Sequence, residues 1–113
     1  MVLYTLEGNM NWARIAGFPE YAVSTDGQVL SIRTGQFRVL TPMEKGYLKV
    51  NLTGEDSEQH TRKVGRLVAV HHIPNPENKP QVNHKDRVKA NNSVTNLEWA
   101  THMENVNHWR GIK

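Results

Sequence analysis

Carboxamide side chains cluster around His84 in the stretch from residue 81 to residue 108. Asn83 directly precedes this histidine, and Asn105 follows further along the chain. A neutral imidazole can take a proton from water near neutral pH, because its ordinary pKa is about 6.5. Carboxamide oxygens suit hard divalent cations such as Mg²⁺ or Mn²⁺. These residue types favour metal-assisted hydrolysis, with His84 as general base and Asn83 and Asn105 as ligands of one cation.

A β-hairpin is predicted to position the histidine. Residues 81–84 and 96–100 each have the pattern of a short strand, and the polar segment 85–95 joins them. Asparagine favours turns, since its side chain bonds to nearby backbone and tolerates left-handed geometry. We therefore interpret Asn91 and Asn92 as turn residues of this loop.

A helix after the hairpin is predicted to position the second amide. Thr101 followed by Glu104 forms a capping box, which predicts a helix that starts at about residue 102 and runs toward Gly111. If this helix packs back over the hairpin, Asn105 faces Asn83 and their oxygens can share a cation.

The first half of the chain predicts short strands broken by turns. Residues 21–32 form two β-type runs around Asp26-Gly27, which is a strong hairpin signal because glycine supplies the positive φ of a tight turn. Further strands are predicted at 37–40 and 46–52, followed by a polar loop at 54–59. The core of this β module is expected to contain Trp12, Phe18, Tyr21 and Tyr47.

A helix is predicted over residues 64–73, where apolar side chains recur with a helical period. Three prolines then predict an extended connector over 74–81. His71 and His72, at the helix end, are interpreted as packing and surface groups. His102 and His108 are interpreted as surface histidines of the later helix.

The charge is distributed unevenly along the 113 residues. Residues 1–59 contain five Lys or Arg and seven Asp or Glu, whereas residues 60–113 contain nine and four. A basic second half can attract a polyanion such as DNA, although ordinary surface charge explains the same imbalance. The candidates for phosphate contacts are Arg62, Lys63, Arg66, Lys85, Arg87 and Lys89.

Several classes of protein are excluded by composition. The chain has no cysteine, so neither disulfides nor cysteine-ligated zinc are expected. No apolar run is long enough to cross a membrane, and residues 1–11 show no secretory signal. We therefore expect a cytoplasmic protein with no membrane partner.

Residues 81–105 closely resemble the HNH endonucleases of phage and group I intron homing type. Segments 66–69 and 73–76 match the same family, and residues 12–52 resemble the NUMOD4-like β module that often precedes such a domain. The resemblance implies an α+β protein, a small antiparallel β module followed by a ββα-metal nuclease domain. It implies three segments: an N-terminal segment at 1–11, the β module at 12–55 and the nuclease domain at 56–113.

The resemblance also assigns roles to individual residues. The first metal ligand falls on Asn83, the general base on His84 and the last ligand on Asn105. The middle asparagine, which buttresses the loop and holds the base, falls on Asn96. The implied activity is that of a DNA endonuclease or nickase with one Mg²⁺ or Mn²⁺ ion, encoded by a phage or an intron and acting in a host cell.

Two positions depart from the family pattern. Gly65 stands where the family often has histidine, and Arg87 stands where it usually has glycine. These departures support an alternative, a DNA-binding module of the same family with weak or no cleavage. A third alternative, a histidine-rich zinc protein, is disfavoured by the absence of cysteine. The sequence leaves open whether the chain forms a homodimer.

Overall fold

The computed structural model describes residues 11–111. In this region a three-stranded antiparallel sheet comes first. It consists of β1 (Trp12–Ile15), β2 (Phe18–Ser24) and β3 (Val29–Ser31), paired in that order. The turn between β2 and β3 contains Gly27 at φ +84°, and Val23 pairs with Val29 across it. The hairpin predicted around Asp26-Gly27 is therefore confirmed.

A second antiparallel sheet contains β4 (Thr41–Pro42), β5 (Leu48–Thr53) and β6 (Gln59–Lys63). The predicted strand at 37–40 is wrong, since Phe37 makes only an isolated bridge to Leu30. Sequence reasoning missed β6, because its five residues are all polar and give no apolar alternation. The strand forms because its backbone pairs with β5 in a regular register.

Helix α1 (Val64–His72) follows β6 directly and confirms the predicted helix. It buries Val64, Leu67, Val68 and Ala69, and it ends where the backbone N–H of Ile73 donates to the carbonyl of Ala69. No described helix is long and apolar enough to cross a membrane.

The last unit is a hairpin covered by a helix. Strands β7 (Gln81–His84) and β8 (Leu97–Ala100) pair antiparallel, and a 3₁₀ turn at Val94–Asn96 leads into β8. Helix α2 (His102–Arg110) starts with the predicted capping box, in which Thr101 and Glu104 bond reciprocally. None of the α2 residues is fully buried. Polar contacts therefore fix its position more than apolar packing does.

A single hydrophobic core joins the β module to the nuclease segment. Buried side chains of β1, β2 and β5 pack with those of α1 and β8, among them Ile15, Val23, Leu52, Val68 and Leu97. Phe18 and Tyr21 belong to this core as expected, whereas Trp12 and Tyr47 are only half-buried. The predicted boundary between residues 55 and 56 falls in the turn between the paired strands β5 and β6; the division into two segments stays a prediction.

Two adjacent histidines at the end of α1 bind the first sheet. The backbone N–H of Ala16 donates to Nε2 of His71 at 2.9 Å, while Nδ1 of the same ring donates to the carbonyl of Leu67. His72 donates from Nε2 to the carbonyl of Val23. Burial lowers the pKa of His71 below its ordinary value, and the Ala16 bond requires the neutral ring.

Candidate active site

His84 lies at the end of β7 and lines a cleft of about 220 Å³. The ring is buried, but its surroundings are polar and aromatic rather than purely aliphatic. Its Nε2 lies 2.9 Å from Oδ1 of Asn92, and its centroid lies 5.7 Å from that of the Tyr47 ring. The histidine is thus held firmly at the wall of an open cleft, where a general base could meet a substrate.

Asn96 stabilises the loop that follows the histidine. Its Oδ1 accepts from the backbone N–H of Asp86, and its Nδ2 donates to Oδ1 of Asp86 and to the carbonyl of Asn91. Its own carbonyl accepts from the N–H of Lys85. These bonds join the two ends of the loop; the buttressing role of Asn96 stays a prediction. The side chain that touches the base directly is nevertheless Asn92.

The carboxylate of Asp86 is the centre of this loop. It accepts from the side chain of Asn91, from the backbone N–H of Val88 and from the side chain of Asn96. These bonds, that of Asn91 first, lower the pKa of Asp86 below its usual value. The loop is thus built around a carboxylate that favours its charged form.

Asn83 is buried in β7 on the strand face opposite to His84. Its Nδ2 donates to Oε2 of Glu98 at 2.7 Å, which is the charge-assisted bond that a carboxylate favours. Its Oδ1 is buried and has no hydrogen-bond partner among residues 11–111. Glu98 therefore orients the amide so that its oxygen remains available.

Asn105 presents the same arrangement from α2. Its Nδ2 donates to Oε1 of Gln81 at 3.0 Å and lies 3.5 Å from the carbonyl of Val82, while its Oδ1 is buried without a partner in the described part of the chain. Gln81 and Asn83 are two residues apart and share a face of β7. Helix α2 thus brings Asn105 against the first two residues of β7.

The two amides border neighbouring cavities. Asn105 lines the cleft of His84, whereas Asn83 lines a second cavity of about 370 Å³ together with Glu98 and His108. Within residues 11–111, no group of three or more His, Cys, Asp or Glu side chains could hold a metal by itself. A cation held by these amides needs further oxygen ligands from water or from a substrate.

The donor set nevertheless fits a hard divalent cation. A buried carbonyl oxygen without a partner costs free energy, on the order of 1–3 kcal/mol. Both amides use their N–H groups on protein acceptors and leave their oxygens unmet. The shared pattern is that expected of oxygens kept for a ligand such as Mg²⁺ or Mn²⁺.

Three basic side chains surround the mouth of the cleft. The ammonium groups of Lys63 and Lys89 each lie 4.9 Å from the centroid of the Tyr47 ring. Arg66 donates to the carbonyl of Pro80 and stacks over Trp99 at 5.3 Å. Cation–π contacts of this kind hold positive charge beside His84 without neutralising it.

The remaining basic candidates lie further out. Arg62 stacks over Phe18 at 5.1 Å, and Lys85 is exposed. Arg87 adopts φ +64°, and its guanidinium donates to the carbonyl of His108 at 2.7 Å, at the carboxyl end of α2. The backbone at Arg87 is thus in the left-handed region that favours glycine, and the side chain binds the helix. DNA contact by these three residues stays a prediction.

The two α2 histidines both bind the hairpin. His102 accepts at Nδ1 from the side chain of Gln81, and His108 donates from Nε2 to the carbonyl of Lys85 at 3.1 Å. They hold the helix on β7, although both also keep contact with solvent.

Sequence reasoning missed three residues of this site. Asn92 was assigned to a turn, yet its side chain is buried against His84. Tyr47 was assigned to the core, yet it lines the cleft beneath two lysines. Glu98 was not singled out, although it orients Asn83. Strand pairing could have indicated Glu98, which lies opposite Asn83 in a predicted hairpin. The contact of Asn92 with His84 depends on the path of an irregular loop, and that of Tyr47 with His84 joins distant segments.

Comparisons with known proteins match two regions of the chain to protein families. The model of an HNH endonuclease family matches residues 62–107, and that of the NUMOD4 motif matches residues 10–53. Two uncharacterised HNH endonucleases of Acanthamoeba polyphaga mimivirus are 39% and 41% identical over 78% and 83% of this chain. The chain spans about a quarter of their length, 26% and 24%.

A phage enzyme gives both a sequence and a structural match. DNA endonuclease I-HmuI of Bacillus phage SP01 is 38% identical over 86% of this chain and 56% of its own length. The solved structure described as DNA binding and cleavage by the HNH homing endonuclease I-HmuI superposes with a TM-score of 0.81 at 36% identity, covering 92% of this chain and 61% of that one. The chain therefore belongs to the HNH endonuclease family, has a NUMOD4 motif ahead of its HNH region, and is homologous to I-HmuI.

Proposed function

We propose that the chain is a divalent-metal-dependent DNA endonuclease or nickase. The observation that most supports this activity is the pair of buried, unpartnered amide oxygens of Asn83 and Asn105, of which Asn105 lines the cleft of His84 and Asn83 lines the second cavity. Each unmet oxygen costs stability, so two of them on adjoining elements call for a ligand.

His84 acts as the general base in this proposal. Its Nε2 is occupied by Asn92, so the opposite ring nitrogen, Nδ1, is the one that takes a proton from water. The water oxygen bonds to phosphorus, the bond from phosphorus to the 3′-oxygen breaks, and the leaving oxygen takes a proton from a solvent water molecule to become a hydroxyl. Asn96 keeps the loop after the base in place through its bonds to Asp86 and Asn91.

Asn83 and Asn105 would hold one Mg²⁺ or Mn²⁺ ion between hairpin and helix. When bound, the ion would supply positive charge that stabilises the leaving 3′-oxygen and the charge developing on the phosphate. Because neutral amides bind such ions weakly, substrate phosphate oxygens are expected to complete the ligand set. Metal occupancy should therefore rise when DNA is present.

The basic side chains at the cleft would position the DNA backbone. Lys63, Arg66 and Lys89 flank the cleft, and Arg62, Lys85 and Arg87 extend the positive surface from it. Such phosphate contacts fix the position of a duplex without reading its sequence. Binding should weaken steeply as salt increases.

A plasmid-nicking assay tests the proposal. Supercoiled DNA is incubated with the protein and Mg²⁺ or Mn²⁺, with EDTA as the metal-free control. We expect nicking by the wild type and a loss of at least 100-fold for His84→Ala, the range that general-base catalysis contributes. His60→Ala, which removes a histidine on β6, should nick like the wild type.

Two results would contradict the mechanism. Cleavage that survives His84→Ala would show that another group activates the water. Binding of DNA without any nicking would favour the alternative of an inactive DNA-binding module, to which Gly65 and Arg87 point. A gel-shift measurement on the same preparation separates loss of binding from loss of cleavage.

A further inference from the structure

Asn92 has a buried side chain whose only hydrogen bond within residues 11–111 is to the proposed general base. Its Oδ1 lies 2.9 Å from Nε2 of His84, and its Nδ2 is buried without a partner. An amide with half of its capacity unmet costs free energy, so its retention needs another reason. Loop geometry does not supply one, because the backbone bonds of this loop do not involve its side chain.

Two glycines make room for this amide. A Cβ built on Gly65 of α1 would lie 2.8 Å from Oδ1 of Asn92 and 3.3 Å from Nε2 of His84. A Cβ on Gly27, in the turn of the β module, would lie 2.8 Å from Cβ of Asn92. Asn92 is therefore enclosed by the helix, the turn and the imidazole. Glycine near the start of a helix costs about 1 kcal/mol relative to alanine, and the close approach explains why Gly65 is nevertheless present.

A backbone bond ties the same loop to the β module. The N–H of Val94 donates to the carbonyl of Thr25 at 2.8 Å, in the turn that also contains Gly27. The loop that carries Asn92 is thus anchored on the N-terminal sheet. The position of the Asn92 backbone beside His84 is therefore fixed partly by the first sheet.

We infer that Asn92 is a positioning residue that fixes the tautomer of His84. A carbonyl oxygen only accepts hydrogen bonds, so Nε2 of the ring carries the proton and Nδ1 carries the lone pair. No hydrogen bond joins Nδ1 to another residue in the described part of the chain. This inference rests on the proposed function, and it assigns the proton-accepting atom and the side chain that selects it.

The tautomer can be measured without catalysis. Nitrogen-15 NMR of the metal-free protein at pH 8 distinguishes a proton on Nε2 from one on Nδ1. We expect the Nε2–H form of His84 in the wild type and a mixture in Asn92→Ala. Ser93→Ala, a matched change one residue later at a hydroxyl that bonds to Thr95, should keep the wild-type form. A wild-type ring protonated on Nδ1 would overturn the inference whether or not the protein nicks DNA.

Kinetics supply the second readout. Asn92→Ala should lower kcat about 10- to 100-fold, as loss of an orienting partner commonly does, with little change in KM for DNA. Asn92→Asp keeps an acceptor oxygen and should retain more activity than the alanine variant. An unchanged kcat in Asn92→Ala would contradict the positioning role.

Gly65→Ala separates positioning from folding. The change favours the helix, but its Cβ would press on the amide of Asn92. We expect lower kcat in a protein that remains folded by circular dichroism. In the Asn92→Ala background, the same change should cost much less, because the closest atom is gone. Equal losses in the two backgrounds would show that Gly65 acts independently of Asn92.

Discussion

Single amide groups determine what the site can bind. Asn83 and Asn105 are both oriented by their own donors, through Glu98 and Gln81, and each presents an oxygen without a partner. Neutral oxygens bind a cation less strongly than carboxylates do. In the proposed metal site, the residue at position 83 therefore sets the affinity for the cation.

Replacing Asn83 with aspartate should lower the stability of the metal-free protein and raise its affinity for Mg²⁺. Asn83→Asp removes the donor to Glu98 and places two carboxylates in contact, where now a bond of 2.7 Å exists. In EDTA we expect a loss of about 1–3 kcal/mol in the free energy of unfolding. In Mg²⁺ the loss should shrink, and nicking should reach half its maximum at a lower Mg²⁺ concentration.

The double variant Asn83→Asp with Glu98→Gln is the matched control. Its glutamine amide can donate to the new carboxylate, so the stability lost in EDTA should largely return. Urea unfolding with and without Mg²⁺ measures both effects. An unaltered Mg²⁺ dependence in Asn83→Asp would count against position 83 as a ligand.

At the scale of the elements, local signals predicted more than long-range pairing did. The Asp26-Gly27 turn, the α1 period and the capping box at Thr101 were each confirmed, because their determinants lie within a few residues of one another. Strand β6 was missed, since its polar residues are defined only by their pairing with β5.

The candidate site likewise combines positions that local sequence patterns indicate with contacts that they do not. The relation of Asn83, His84 and Asn105 follows from strand alternation and the start of α2, which a sequence can indicate. The contacts of Asn92 with Gly65 and Gly27, and of Tyr47 with His84, join segments distant in sequence. No periodicity or turn signal predicts such contacts, so only coordinates could reveal them.

Helix α2 should depend strongly on its N-terminal cap. The capping box at Thr101 and Glu104 starts a helix without a fully buried residue, and Lys79 adds an ion pair with Glu104 at 3.1 Å. Thr101→Ala should lower stability by about 1 kcal/mol and increase amide exchange in α2 first. Thr101→Ser preserves the hydroxyl acceptor and should behave like the wild type. Equal exchange rates in the two variants would show that other contacts hold the helix.

At the scale of the whole molecule, the titratable side chain of His71 at the end of α1 binds the turn after β1, where it accepts from the N–H of Ala16. Burial lowers the pKa of His71, so the folded state resists a proton that the unfolded chain takes up. The stability associated with this ring is complete above the ordinary pKa of about 6.5 and is lost as the pH falls below it. Protonation would also abolish the acceptor for the N–H of Ala16.

Unfolding by urea between pH 5 and pH 8 tests this dependence. His71→Gln cannot titrate, and at pH 8 it should be less stable than the wild type by about 1 kcal/mol, the value of one hydrogen bond. The two stability curves should converge toward pH 5, because only the wild type has a group at position 71 whose protonation lowers the free energy of unfolding. The two proteins differ only at position 71, so a difference in the shape of the curves reports on His71 and its direct neighbours. Parallel curves would exclude His71 as the source.

The bond between Val94 and Thr25 has a consequence for how this protein could be recombined with its relatives. The turn of the NUMOD4 motif binds the loop that carries Asn92, so the two regions of the chain are not structurally independent. A chimera that joins the HNH region to a foreign N-terminal half would need a turn of matching shape, with glycine at the point of closest approach. An N-terminal region taken from a homologue should therefore give a stable protein only when it keeps the contacts that Thr25 and Gly27 make with the loop of Asn92.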